Sequence, residues 1–110
     1  MKHPLTKSAE VPELHPEPGV TRQVLVQDER LMLVRHRYAA GWVGAAHRHP
    51  PAQTAYVIAG RLRVEVAGQS FEAAAGDSFT IGPNVEHRAT AVEPSEVLDV
   101  FIPVADAARS

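Results

Sequence analysis

Gly41-Trp42-Val43-Gly44-Ala45-Ala46-His47-Arg48-His49-Pro50-Pro51-Ala52-Gln53-Thr54-Ala55-Tyr56-Val57-Ile58-Ala59-Gly60 packs two histidines, an amide and two bounding glycines into one short span. His47 and His49 stand two apart, so on an extended backbone both side chains leave the same face and can converge on one ion. Pro50 and Pro51 bar a helix at this point. Gln53 then opens a β-rich run from Thr54 to Ala59 that ends at Gly60. The segment reads as a strand, a turn and a second strand, with candidate ligands on both sides of the turn.

Short β-rich runs continue on either side: Val20 to Val26, Leu31 to Tyr38, Arg61 to Ala67, Ser70 to Ala74, Ser78 to Ile81, His87 to Val92 and Glu96 to Ile102. Turn signals separate them, among them Ala67-Gly68-Gln69, Ala75-Gly76-Asp77, Gly82-Pro83-Asn84 and Glu93-Pro94-Ser95. Strands of this length at even spacing, with no sustained 3.6-residue period, predict an all-β fold, a small antiparallel barrel or sandwich. Residues 1–19 carry Pro4, Pro12, Pro16 and Pro18 among charges and are expected to form an irregular arm. The barrel is expected over 20–104, with a tail at 105–110.

Alternation assigns faces. In Arg61-Leu62-Arg63-Val64-Glu65-Val66 the apolar side chains share one face, so this strand is half buried. Val97-Leu98-Asp99-Val100-Phe101-Ile102 is apolar on both faces except at Asp99. An unpaired carboxylate there is costly, so Asp99 needs a partner, a proton or a chemical role; an arginine is the structural candidate for partner. From Gly76, a turn, a strand and a Pro83-Asn84 turn deliver His87 to the start of the next strand, where it can join His47 and His49 as a third imidazole. His36, midway along Leu31 to Tyr38, is read as a structural histidine, and His3 and His15 as solvated residues of the arm.

Composition narrows the chemistry. With 110 residues the chain is one domain with one core. Hydrophobic residues make up 45% and charged ones 22%, a globular balance, and a net charge of −2 offers no attraction to nucleic acid or anionic membrane. There is no cysteine, so thiolate nucleophiles and thiolate metal sites are excluded and any metal is held by nitrogen and oxygen. The first nineteen residues have no apolar run long enough for a signal or spanning segment, and the default expectation is a soluble cytoplasmic protein. No helix-turn-helix pattern accompanies the strands. Small barrels pair through an outer strand, so a homodimer is expected.

The two histidine clusters together resemble the paired motifs of the cupin superfamily. Its first motif, Gly-x5-His-x-His-x3–4-Glu-x6-Gly, is matched by Gly41, His47, His49, Gln53 and Gly60, with glutamine in place of glutamate. Its second, Gly-x5-Pro-x-Gly-x2-His-x3-Asn, is matched in spacing by Gly76, Gly82, Asn84, His87 and Ala91, although only the first glycine and the histidine keep their identity. The resemblance spans about residues 20 to 102. It implies a double-stranded β-helix, or jelly roll, that holds a metal in its lumen.

Within that superfamily the chain is similar to the small KdgF-like pectin-degradation proteins, which linearise unsaturated uronates. The similarity rests on Pro18-Gly19-Val20-Thr21-Arg22, on His-x-His-Pro followed by the glutamine, and on Val97-Leu98-Asp99-Val100-Phe101-Ile102-Pro103. It implies one divalent transition metal ion per chain (zinc, nickel, iron, manganese or copper) on His47, His49, Gln53 and His87. It also implies that Asp99 and Phe101 serve turnover of a small-molecule substrate, with Phe101 and Tyr56 or Trp42 as apolar walls. The family places an arginine six residues beyond the aspartate, where this chain has Ala105; Arg109 follows. A glutamine ligand leaves the ion its full double charge, which strengthens polarisation of a bound oxygen and weakens metal binding. A metal-dependent dioxygenase of the quercetinase kind and a non-catalytic ligand-binding cupin are the alternatives.

Overall fold

The computed structural model describes residues 4–102. A 3-10 turn at Ser8–Glu10 precedes eight strands: β1 (Val20–Gln27), β2 (Met32–Tyr38), β3 (Ala52–Ala59), β4 (Arg61–Val66), β5 (Gln69–Ala74), β6 (Ser78–Ile81), β7 (His87–Ala91) and β8 (Ser95–Ile102). Each lies within two residues of its expected position. The tail at 105–110, with Ala105 and Arg109, and also His3 and Pro103, lie outside the described residues.

The strands form two antiparallel sheets, ordered β1-β2-β8-β3-β6 and β5-β4-β7, which face each other across a lumen. The fold is therefore the expected all-β jelly roll, with two opposed sheets making the barrel wall. Alternation decides what faces inward. Ala55, Val57, Leu62, Val64, Ala73, Ala91 and Val97 are buried together, with Tyr38, Trp42, Phe71 and Phe79 packed against them. Met32, Val34 and Phe101 form a second cluster beside the first. Each such aliphatic side chain, fully removed from water, contributes about 1.5–3 kcal/mol.

The turns follow local chemistry. Ala67 and Gly68, at φ 50° and 82°, join β4 to β5 with both residues in the left-handed region that a two-residue hairpin requires. Gly60 has φ 88°, and a Cβ there would lie 2.3 Å from the Pro94 carbonyl oxygen and 2.4 Å from Ser95 Oγ. Only glycine lets the β3–β4 link pass that close to the start of β8. β3 also shifts register against β8 between Val57 and Ala59, just before this link.

The arm packs along the edge of β1. Leu14 and Arg22 exchange backbone bonds of 2.7 and 2.8 Å. The Gln23 amide donates to the carbonyls of Ser8 and Val11, both at 3.1 Å. An edge that would otherwise expose its ladder is thereby partly covered.

One local expectation changes. His47 and His49 do not lie on a continuous strand: residues 43 to 47 touch β7 through two isolated bridges, Val43 with Thr90 and His47 with His87. Past His47 the ladder stops, because Pro50 and Pro51 have no N–H to give it.

Candidate metal centre and its cavity

The bridge to β7 brings the two motifs together. His47 and His87 exchange both backbone bonds at 2.9 Å, so they are directly opposed, and the Asn84 N–H donates to the His49 carbonyl at 2.8 Å. Asn84 stands at φ 58°, a conformation asparagine tolerates better than most residues. The ring centroids of His47 and His87 are 4.3 Å apart, those of His49 and His87 4.9 Å, and those of His47 and His49 5.6 Å. One nitrogen from each ring lies within 4.8 Å of the others. His49 and His87 are buried and His47 is exposed.

Each ring is oriented the same way. Nδ1 of His47 donates to the Ala45 carbonyl at 3.0 Å, that of His49 to Pro51 at 2.9 Å and that of His87 to Val85 at 2.9 Å. A carbonyl only accepts, so Nδ1 carries a proton in all three and Nε2 is the nitrogen of each ring left to bind an ion. This backbone support is how metal-binding imidazoles are usually fixed.

Gln53, near the start of β3, completes the set. Its Nε2 donates to Asp99 Oδ1 at 2.8 Å, which fixes the amide so that Oε1 faces His49 Nε2 at 3.1 Å. Two lone-pair bearers at that distance call for a positive charge between them. Neighbouring ligands on one ion, each at about 2.1 Å, are about 3 Å apart. The donor set of three imidazoles and one amide oxygen suits a divalent transition metal, so the residues present fit such an ion.

Asp99, on β8, is 2% exposed, and both of its oxygens are engaged. Oδ2 accepts from His36 Nδ1 at 2.7 Å while Oδ1 accepts from Gln53. The candidate partner read from the sequence was an arginine; the partners with direct bonds are a histidine and an amide. His36 was read as structural, but it is buried on the inward face of β2 and touches the central carboxylate. Its signal was available: in β2 the inward positions run Met32, Val34, His36, Tyr38, so His36 is a polar residue on a buried face, the same anomaly that singled out Asp99.

Burial pulls the His87 imidazole below its ordinary value, reinforced by His47 and His49 and opposed by the Val85 carbonyl and Asp99. The Tyr38 phenol is pushed well above its usual range, mainly by desolvation and next by Asp99. Arg22 is lowered by burial, against the raising influence of Tyr38 and Asp99.

These groups share a cavity of about 400 Å³ between the sheets. Phe101 stands edge-on to His49 at 5.6 Å and lines the cavity. Trp42 stacks on Tyr38 at 4.4 Å and donates its indole N–H to Glu17 of the arm at 2.7 Å. Trp42 and Phe101 thus form apolar walls as expected, whereas Tyr56 does not: it points outward from β3 and is 48% exposed. The inward positions beside it, Ala55 and Val57, are small, which leaves the lumen open.

Residues 34–101 match the cupin domain family. The pectin degradation protein KdgF of Dickeya dadantii is 32% identical over 87 residues, 77% of this chain and 79% of the relative. The structure of KdgF from a Halomonas species superposes with a TM-score of 0.90 at 31% identity, over 97% of this chain and 99% of that one. An RmlC-like cupin from Shewanella frigidimarina gives a TM-score of 0.90 at 28% identity, over 96% of both chains. With two opposed sheets, histidines gathered at the junction of its two motifs, and these likenesses over nearly its full described length, the chain belongs to the cupin family and is similar within it to KdgF.

Proposed function

We propose that this cupin is a metal-dependent isomerase that opens the ring of an unsaturated uronate inside the lumen. The observation that supports this most is the convergence of three Nε2 lone pairs and the Gln53 oxygen beside Asp99, in a cavity large enough for one small sugar acid. The pectin-degradation relatives supply the substrate class.

In this reading His47, His49, His87 and Gln53 hold one divalent ion. Such an ion supplies Lewis-acid polarisation of a substrate oxygen. Asp99 carries the proton: the net change moves one proton from the anomeric hydroxyl to the alkene carbon, while the ring C–O bond breaks and its electron pair stays on the former ring oxygen. No oxidant or water is consumed. His36 and Gln53 hold the Asp99 carboxylate in one orientation, so its remaining lone pairs point into the cavity at no cost of reorganisation. Phe101 and Trp42 exclude water around the reacting centre.

Elemental analysis of the purified protein, with His49→Ala and Gln53→Ala in parallel, tests the centre, and decay of the ultraviolet absorbance of an unsaturated uronate tests the reaction. The expected result is near one ion per chain, lost in both variants, with metal-dependent decay. Metal without decay refutes the isomerase. Oxygen uptake with a flavonol would instead establish a dioxygenase, and stabilisation by a ligand without product a binding module.

A further inference from the structure

We propose that Tyr38 is a substrate-binding residue, its hydroxyl donating a hydrogen bond to a sugar oxygen in the cavity at the end of the wall away from Gln53. This rests on the sugar-acid reading above. Tyr38 closes the inward row of β2, two residues beyond His36, and the register sets it opposite Val20 of β1 and Ser95 of β8. The other end of that row, Met32, adjoins Phe101, which in turn pairs with Gln53. Tyr38 lines the same cavity as His36, Asp99 and Gln53, and all four belong to one sheet. Its ring is stacked on two neighbours, His36 at 5.6 Å and Trp42 at 4.4 Å, with interplanar angles of 16° and 18°. Trp42 is itself pinned. Its indole N–H donates to Glu17, and its six-membered ring lies over Gly44, where a Cβ would come within 2.7 Å of Cη2. Held in this way, the phenol ring has its hydroxyl to offer a ligand, at a fixed place.

The polar groups around it are already engaged. Asp99 is bonded to His36 and Gln53, the Trp42 N–H to Glu17, and the Ser95 hydroxyl opposite Tyr38 to the carbonyls of Arg61 and Glu93. Arg22 is engaged as well. Among the described residues the Tyr38 hydroxyl has no hydrogen-bond partner, and it is not sealed in the core, since Tyr38 is half-buried and lines the cavity. Nor does it sit in bulk water: desolvation first, and Asp99 next, push the phenol well above its usual range, against the lowering influence of Arg22. The hydroxyl therefore stays protonated and lies in sheltered space near the central carboxylate. Phenylalanine would make the same stack without carrying a polar group there, and an unsatisfied hydroxyl in such a place is unfavourable. A ligand oxygen satisfies it. The His36 ring, which holds Asp99, is 5.6 Å from the Tyr38 ring, a step that one sugar ring bridges. A sugar acid can thus engage Asp99 at one edge and Tyr38 at the other, and two separated polar contacts fix its orientation.

Tyr38→Phe keeps the stack and removes only the oxygen. Calorimetric titration of galacturonate into the metal-loaded wild type and variant reads the contact, while metal content and urea midpoint of the same samples read the fold. The variant is expected to lose roughly threefold to tenfold in affinity for galacturonate, with metal content and midpoint those of the wild type. A structural hydroxyl would do the opposite, lowering the midpoint and leaving affinity unchanged, and that result overturns the assignment. A second readout needs no substitution of Tyr38. The chain has two tyrosines, so loaded protein labelled with 3-fluorotyrosine gives two fluorine resonances. Galacturonate should move that of Tyr38 and leave that of the exposed Tyr56, which is identified by its loss in Tyr56→Phe. An unmoved Tyr38 resonance at saturation, or no binding of galacturonate by the loaded wild type, also overturns the assignment. Tyr38-dependent binding without decay of an unsaturated uronate would refute the ring opening and leave Tyr38 as a ligand-binding residue. Decay with the same KM in Tyr38→Phe would do the reverse.

Discussion

Replacing Asp99 by alanine removes the acceptor of a buried hydrogen bond from His36 Nδ1 at 2.7 Å and of a partly buried one from Gln53 Nε2 at 2.8 Å. Each donor left unpaired costs about 1–3 kcal/mol, so the pair costs about 2–6 kcal/mol. Set against the roughly 5–15 kcal/mol that holds a domain folded, this is a large fraction. Asparagine at the same position behaves differently. Its Oδ1 still accepts from Gln53, and its amide can donate to His36 once that ring carries its proton on Nε2. No donor is orphaned, and only charge assistance is lost, about 1–2 kcal/mol in all. Urea unfolding of the metal-free proteins, followed by Trp42 fluorescence, measures the difference. Asp99→Ala is expected to lose at least about 1 kcal/mol more than Asp99→Asn. Metal content should separate the two as well, because only alanine frees the Gln53 amide to turn its oxygen away from His49. Turnover is expected to vanish in both. Equal stability and equal metal content in the two variants would refute the network reasoning, and retained turnover in Asp99→Asn would remove Asp99 from the proposed chemistry.

The lowered His87 pKa has a defined sign: below about 6.5 the unfolded chain takes up a proton that the native site resists, so metal-free stability falls as pH drops from 7.5 to 5. His87→Gln should show a shallower fall in urea midpoint over that range, and parallel curves would contradict it. Gly60→Ala meets both φ 88° and the Pro94 backbone, and is expected to cost more than about 2 kcal/mol. Gly76→Ala, at φ 92° with open space around it, should cost only about 1–2 kcal/mol; equal unfolding midpoints for the two would show that the close approach at Gly60 is not tight. A homodimer through the outer face of β3 and β8, where Tyr56, Ile58 and Ile102 are exposed, should give twice the chain mass by light scattering and a single-chain mass in Tyr56→Asp. A single-chain mass for the unmodified protein would refute it.

Much of the site was legible because its signals are local. The two-residue step from His47 to His49, the prolines that end their segment, and the turn that delivers His87 are all short-range, and motif spacing tied them together. Asp99 stood out as a charge in an apolar strand. His36 and Arg22 were harder to read. Each lies in a strand with polar residues on both faces: Thr21 and Gln23 beside Arg22, Arg35 and Arg37 beside His36. Alternation put His36 with Met32 and Val34 on the apolar face of its strand, but it could not say which residues of other strands are met there. Of the two aromatics the resemblance offered as a second wall, Trp42 lines the lumen and Tyr56 faces outward, because the small residues beside it, Ala55 and Val57, take the inward positions.

The sequence by itself determined the strands, their turns, the absence of thiolate chemistry and the three imidazoles, because period-two alternation, proline and glycine punctuation and ligand spacing act over a few residues. Tertiary structure alone decided that Arg22, His36 and Asp99, from β1, β2 and β8, line one wall beside Gln53 of β3. That wall depends on the register of strands far apart in the chain, and a one-residue slip in any of them would turn its side chain to the other face.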